Sequence, residues 1–578
     1  MNLGLITFLG LSYYKMRKII GNKKRLRQKR RLEKTMIQSI KNIFKTKIRF
    51  SWLLSMIFSI GYILGYIFLQ EKHINSGMQV LKYIVAWLVG ILIYHVLIQI
   101  FWCFVQGDYL QKSKKIQSWI IWRHPFIVTF IFLCICWTIP IILKYPAGIC
   151  WDVSWQIDQG MGNMPLTSHH PIFHTKLMTW FIKFGMKLHS ANVGIFLFCV
   201  VEAIILALIF SFAIKCLVDL QAKYWSILLA VVFFGFSPFI TGYVGTVIKD
   251  VYFMTMCVLY ITTLIVYAAD RELFWSKCYY SILFILATVG MVLFRNNGLY
   301  MCAPTALVLM VYEFKKRDNK FMKHIVIIAM SCILAVTASK TLTHIYQPEK
   351  GSIAEALSLP IQQTSRYVKT YGNEVTENEK KIISKVLPYD RLGELYDPYI
   401  SDPVKMYFNR SATKEDTIKY LNVWWQQFLK HPMCYVEATV QQNILLIYPG
   451  YNNYAYYLSC DKTGYNFQKV QLFHTPQKIA LLQEKYFNFL VECHTIPVIS
   501  LLNNMALYIM GMFCLLIFSW KRHNYKSMFF FIPLLLSVLI IIAAPCIRGH
   551  VRYAFPVIYT FPLILAEFTR IKKVDKNG

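Results

Sequence analysis

Two acids and three histidines crowd into Tyr145–Leu177, which reads YPAGICWDVSWQIDQGMGNMPLTSHHPIFHTKL: Asp152, Asp158, His169, His170 and His174. The stretch lies between long apolar runs. Ionisable groups beside a bilayer are costly unless they are paired or used, so this loop is the expected chemical centre. If residues 151–160 are helical, six residues turn the chain by about 600° and leave the two aspartates about 120° apart. Gln156 and Gln159 instead fall within about 40° of Asp152. The polar face therefore carries one carboxylate, which suits a general base or a single metal ligand. The plain alternative is an acid stabilising the start of a short helix. His170 and His174 are four residues apart, as zinc ligands often are. His170 precedes Pro171, however, which biases it away from helical geometry. The three histidines are read as groups that bond substrate or neighbouring loops, and no metal site is assigned.

Further polar groups close the ends of apolar runs. Lys249 and Asp250 end TGYVGTVIKD, Arg295 opens RNNG, and Arg548, His550 and Arg552 lie in CIRGHVRY. These cations are expected at the membrane face that holds the Asp152 loop. A phosphate held at the lipid boundary needs such donors; snorkelling at helix ends is the alternative. Lys249 and Asp250 are read as a local structural pair. GTVIKD lacks the Gly-Lys-Ser/Thr order of a phosphate loop, so ATP hydrolysis has no support. In LSLPIQQTSRYV, Gln362 and Arg366 share a face by their spacing. That helix either closes over the membrane site or faces solvent.

The elements that must position these groups are membrane spans. The chain has 578 residues, 56% hydrophobic and 16% charged, whereas a soluble domain is nearer 45–50% apolar and about 25% charged. Repeated apolar runs of ~20 residues each suffice to cross ~30 Å of hydrocarbon. The expected fold is all-α and polytopic, with about twelve transmembrane helices: 51–69, 81–105, 126–144, 193–217, 225–243, 251–269, 277–294, 298–314, 324–343, 494–519, 527–545 and 551–568. Residues 171–188 are apolar but interrupted by Lys176, Lys183 and Lys187, and are read as an interfacial helix begun by Pro171.

Net charge is +33. Residues 15–49 alone hold fifteen Lys or Arg against Glu33, a basic arm suited to anionic lipid. No aromatic-interleaved binding module accompanies it, so no nucleic-acid partner is expected. Lys and Arg in the short loops place both termini in the cytoplasm of a plasma-membrane protein. The expected organisation is a basic arm at 1–50 and a membrane domain at 51–343 with an outward loop at 145–192. An extracytoplasmic helical domain at 344–493 follows, then the last three spans at 494–569 and a basic tail at 570–578. Within the helical domain, Thr376 with Glu379 and Thr413 with Asp416 fit capping boxes, and Thr475–Pro476 reads as a cap with proline at the first helical position. The tyrosines of YPGYNNYAYY are read as interfacial. Most of the fifteen cysteines lie in apolar runs and none forms a CxxC pair; Cys460 and Cys493 are the pair that could meet outside the membrane. No internal repeat of the kind found in transporters is visible.

YPAGICWD after a span, an interfacial helix behind it and a large late external domain resemble the GT-C superfamily of integral-membrane glycosyltransferases. YPAGICWDVSWQ, HHPIFHTKL, SPFITGYVGTVIKD, RNNGLY and CIRGHVRYAFPVIY also resemble an uncharacterised family of bacterial multi-pass membrane proteins. The superfamily resemblance implies sugar transfer from a polyprenyl-phosphate donor to a cell-envelope glycan or protein acceptor on the outer face. Asp152 would be the catalytic acid-loop residue. Arg295, Arg548 or Arg552 would hold the lipid phosphate. The paired acids DxD or ExD are missing near Asp152, so no cofactor is implied and a divalent ion is doubtful. The candidate substrate-binding residues are Gln156, His169, His170, His174, Arg295, Arg366, Arg548, His550 and Arg552. Two other classes use the same cations: a transporter or flippase of an envelope lipid or polysaccharide precursor, and a surface-polysaccharide polymerase or ligase.

Overall fold

The computed structural model describes residues 49–69, 77–110, 114–460, 472–544 and 547–570. Nearly all of the basic arm and of the basic tail lie outside the described residues. The protein is an all-α, polytopic membrane protein, with strands limited to two residues each. Among the described residues nine helices are long and apolar enough to cross a membrane. They include α1 (Arg49–Leu69), α2 (Gly77–Gln106), α3 (Pro125–Leu143), α6 (Ala191–Asp219), α7 (Tyr224–Phe236 with its short continuation to Thr241), α8 (Lys249–Ala269) and α12 (Phe321–Tyr346). Two apolar helices of 17 residues, α10 (Cys278–Phe294) and α18 (Met505–Lys521), pack among them, as does α11 (Gly298–Lys316). The remaining long ones are α19 (Met528–Ala543) and α20 (Phe555–Phe568), each entered through a short 3-10 turn.

Helix α8 sits at the centre. It packs on α6, α10, α19 and α20, and nearly all its residues are buried. At 1.5 Å per residue its 21 residues measure about 31 Å, so Lys249 and Ala269 mark opposite ends of the bundle. Helix α10 returns to the Lys249 end, α11 runs back, and α12 returns once more. One end therefore carries Asp152, Lys249 and Arg295, and the other carries Arg271, Glu313 and His324.

At the Lys249 end the chain is fixed by two very short parallel strands, β1 (Gly148–Ile149) and β2 (Thr246–Val247), with Ile149 opposite Val247. Each leads directly into a helix: β1 into α4 (Trp151–Met161), β2 into α8. Helix α5 (Ile172–Lys187) follows α4 and packs on it and on α6. An extended segment from residue 451 lies across the strands. Ile149 N donates to Ser459 O at 3.2 Å, and Thr246 Oγ1 donates to Tyr457 O at 3.0 Å. A Cβ on Gly148 would stand 2.0 Å from Tyr457 O, so only glycine lets that carbonyl approach.

A separate helical unit follows α12. It contains α13 (Ser358–Tyr371), α14 (Glu377–Ser384), α15 (Lys414–Lys430) and α16 (Pro432–Gln442). Its own core includes Ile361, Ile383, Leu392, Val404 and Tyr420. Both capping boxes form as their sequences require, Thr376 with Glu379 and Thr413 with Asp416.

The structure departs from the sequence expectations in four places. The span expected at 494–519 begins at Met505, because the Asn504 side chain caps it by accepting from Leu507 N and also donates to Pro449 O. Helix α17 (Gln477–Glu492) and a short turn at Pro497–Leu502 precede it. Pro476 and Pro171 are N-caps rather than first helical residues. Tyr448, Tyr451, Tyr454 and Tyr456 are buried in the core of the membrane domain, not spread along an interface; Tyr456 Oη bonds His494 Nε2 at 2.8 Å. Cys460 Sγ lies 3.2 Å from Thr475 Oγ1, and no disulfide joins it to Cys493.

Candidate functional site

The strand pairing decides which groups meet. With Ile149 opposite Val247, Asp152 and Asp250 each lie three residues further on, in the first turns of two adjacent helices. Acids there are stabilised by the positive helix ends. Cations from α8 itself and from two other segments meet them. Lys249 Nζ is 3.5 Å from Asp152 Oδ2, and Arg552 Nη1 is 3.4 Å from the same oxygen. Arg552 Nη1 also lies 3.9 Å from Asp250 Oδ2, and Arg295 Nη1 lies 2.8 Å from Asp250 Oδ1. Lys249 Nζ donates to His170 Nδ1 at 2.9 Å. The guanidinium groups of Arg295 and Arg552 flank the ring of Tyr553, 5.6 and 5.3 Å from its centre.

Lys249 and Asp250 thus do not pair with each other. Adjacent residues on a helix point about 100° apart, and each finds its partner on another segment. The cluster holds three permanent cations and two carboxylates. Arg552 and Asp250 are buried, whereas the Asp152 side chain is 32% exposed. Arg552 Nε has no acceptor among the described residues, which leaves a buried donor in reserve.

The titration of the site follows from its charges. Burial alone would raise the Asp152 carboxyl; Arg552 and Lys249 outweigh it and hold the group well below the usual carboxylate range. Burial and the Lys249 ammonium push His170 well below its ordinary value, and the same two causes lower the exposed His169 beside it. Burial, with Arg552 next, lowers His550 to about 4. At neutral pH these three histidines are therefore uncharged.

The other candidates occupy different places. Gln156 is fully buried, and its Oε1 accepts from His174 Nδ1 at 2.7 Å and Thr175 Oγ1 at 3.2 Å, tying α4 to α5. His174 is fully buried, and burial lowers it to about 3. Asp158 takes a bond from Asn163 at the far end of α4. His550 bonds Tyr457 Oη at 3.2 Å. Arg548 stacks on Tyr399 of the helical unit, 4.0 Å from the ring centre. Arg366 is held by Glu437 and by Gln441 Oε1 at 2.9 Å, within the helical unit. Asp152, His170, Arg295 and Arg552 are thus joined in one network, and Gln156, His174 and Arg366 are engaged elsewhere. Sequence reasoning left Lys249, Asp250, Tyr457 and Tyr553 out of the site. The tyrosines carry no local signal; Lys249 and Asp250 were visible but paired with the wrong partners.

Among the described residues, the group whose ligand atoms lie close enough for a metal ion is Glu313, Asp318 and His324 at the opposite end of the bundle. Arg271 stands among them, ion-paired to Glu313 and to Asp318 at 2.6 Å and bonded to His324 Nδ1 at 3.1 Å, so a cation already occupies the space between the acids. In the Asp152 cluster each carboxylate faces cations, an arrangement suited to an anion rather than a metal.

The chain belongs to the family described as Family of unknown function (DUF6020), which matches residues 160–577. That match takes in Lys249, Asp250, Arg295 and Arg552 and begins after Asp152. No curated protein and no solved structure matches the chain.

Proposed function

We propose that the protein is a GT-C-type membrane glycosyltransferase of a bacterial envelope, moving a sugar from a polyprenyl-phosphate donor to an envelope acceptor. In this reading the Asp152 end of the bundle faces outward and both termini are cytoplasmic. The observation that carries the reading is the convergence of Asp152 with Lys249, Arg295 and Arg552 where spans meet a polar loop.

Lys249 and Arg552 receive the donor phosphate, with Arg295 and Asp250 fixing the second guanidinium against Tyr553. Before the donor arrives, Asp152 is their counter-ion and a weak base. Once the phosphate engages these cations, their pull on Asp152 falls and its basicity rises. Asp152 then takes the proton of the acceptor hydroxyl. The acceptor oxygen forms a bond to the anomeric carbon as the carbon–phosphate oxygen bond breaks. The electron pair leaves on the polyprenyl phosphate, whose charge the cations stabilise. No strong acid is needed, because the leaving group is already an anion. Neutral His169, exposed at the rim, bonds a sugar hydroxyl, and the buried His170 holds Lys249 in place.

The test is transfer from polyprenyl-phosphate sugars by the purified protein in lipid. Wild type is expected to form a glycosylated product, and Asp152→Asn is expected to bind donor but lose turnover. Transport of donor or precursor in proteoliposomes without covalent product would replace the enzyme reading with a transporter.

A further inference from the structure

At the end of the bundle away from Asp152, a cavity of about 760 Å³ opens between the first turns of α10 and α12, beside α9 (Arg271–Ser276). Its mouth carries Arg271, Glu272, Asp318, Lys320 and Lys323, and its inner wall is Ile282, Ile285 and Ile327. We infer that this cavity binds the headgroup and upper acyl chain of an anionic glycerophospholipid. The inference is independent of the reaction at the Asp152 end.

The depth of the cavity argues for a lipid. Helix α10 starts at Cys278 and α12 at Phe321. At 1.5 Å per residue, Ile282, Ile285 and Ile327 lie about 6, 10 and 9 Å inside the helix starts. The cavity thus runs from headgroup level into the hydrocarbon. A soluble anion would fill the mouth alone and leave the isoleucine wall uncovered. α12 also turns exposed apolar side chains outward along the same stretch, including Met322, Val326 and Met330, so an acyl chain can enter from the bilayer.

The charges argue for an anionic headgroup. Arg271 is used up: it is ion-paired to the buried Glu313 and to Asp318. Lys320 and Lys323 have no ion-pair partner among the described residues, and with Arg271 they face Glu272 and Asp318, which leaves the lining side chains at +1. Trp275 forms a rigid wall, stacked on His324 at 4.0 Å between ring centres and donating to Glu313 Oε1 at 3.2 Å. Tryptophan is a usual residue at headgroup depth.

The test uses the full-length protein in mixed micelles with equal phosphatidylglycerol and phosphatidylcholine, read by native mass spectrometry. Wild type is expected to retain phosphatidylglycerol preferentially. A lysine near an anionic headgroup is worth about 5-fold in affinity, so Lys320→Gln with Lys323→Gln should lower retention roughly 20-fold. Lys315→Gln with Lys316→Gln, outside the cavity, should change it less than about 3-fold. Ile285→Trp keeps every charge, fills the inner wall, and should lower retention of both lipids. Equal retention of the two lipids by wild type would overturn the proposal. So would an equal loss in the Lys315/Lys316 control, or displacement of the lipid by millimolar inorganic phosphate.

Discussion

The two ends of the bundle hold their acids in opposite ways. Glu313 is fully buried and closed in on every side. Arg271 Nε donates to it at 2.8 Å, Trp275 Nε1 at 3.2 Å, His324 Nδ1 lies at 3.0 Å, and Tyr267 completes the set. Asp152 is partly exposed, and its nearest cations stand at 3.4 and 3.5 Å. Arg552 still has an unused Nε. A buried acid with all its bonds made is a fastening, and a partly satisfied network is where a polar ligand gains most. The difference teaches that ionic content alone does not mark a site; the slack in the network does.

The sharpest test of this contrast is activity. On the proposed reaction Asp152→Asn removes the base and is expected to lower transfer about 10³-fold, within the range for general-base loss, while the melting transition stays near wild type. Turnover measured beside thermal unfolding separates the two effects. Glu313→Ala should do the reverse. It removes the acceptor of Tyr267 and Trp275 and leaves Arg271 to Asp318 alone, a loss of about 1–3 kcal/mol in stability, measured by denaturant unfolding in detergent. An equal loss of stability in Asp152→Ala would break the comparison.

A smaller effect concerns pH. His174 titrates at about 3 in the folded protein, below its ordinary value of about 6.5. Between those values the unfolded chain binds the proton more tightly, so stability is full above about pH 6.5 and falls as the pH drops. From pH 7 to 5 the loss attributable to His174 is about 2 kcal/mol. His174→Gln should flatten the pH dependence of unfolding by that amount; an unchanged slope would show that His174 is already exposed to protons. The smallest expected change is at Tyr553. Tyr553→Leu removes the ring that Arg295 and Arg552 flank and should weaken donor binding by about 1 kcal/mol. Tyr553→Phe keeps the ring face and should bind as wild type.

Much of the bundle was legible because each span is a continuous apolar run, and run length is a local property. The break before Met505 was hidden because Asn503 and Asn504 interrupt an otherwise apolar stretch, and their effect depends on Pro449, which Asn504 reaches across the fold. The site was half legible. Polar groups at the ends of runs identified Asp152, Arg295 and Arg552, but their pairing depends on the β1–β2 register, which brings together residues about a hundred positions apart. Arg366 shows the same limit. Its spacing from Gln362 describes a helix face, while its partner Glu437 lies on another helix. Tyr553 owes its place to two arginines that converge only in three dimensions.

The central position of α8 has a consequence for how the protein meets membranes of different thickness. A span that is too long or too short for its bilayer adapts by tilting. α2 and α12, which turn most of their surface outward, can do so. α8 is jacketed by other helices along nearly its whole length, so it has no lipid to adapt to. Lys249 and Asp250 ride on that insulated element. Acyl-chain length should therefore alter the rim of the protein well before it alters the spacing of charges at Asp152.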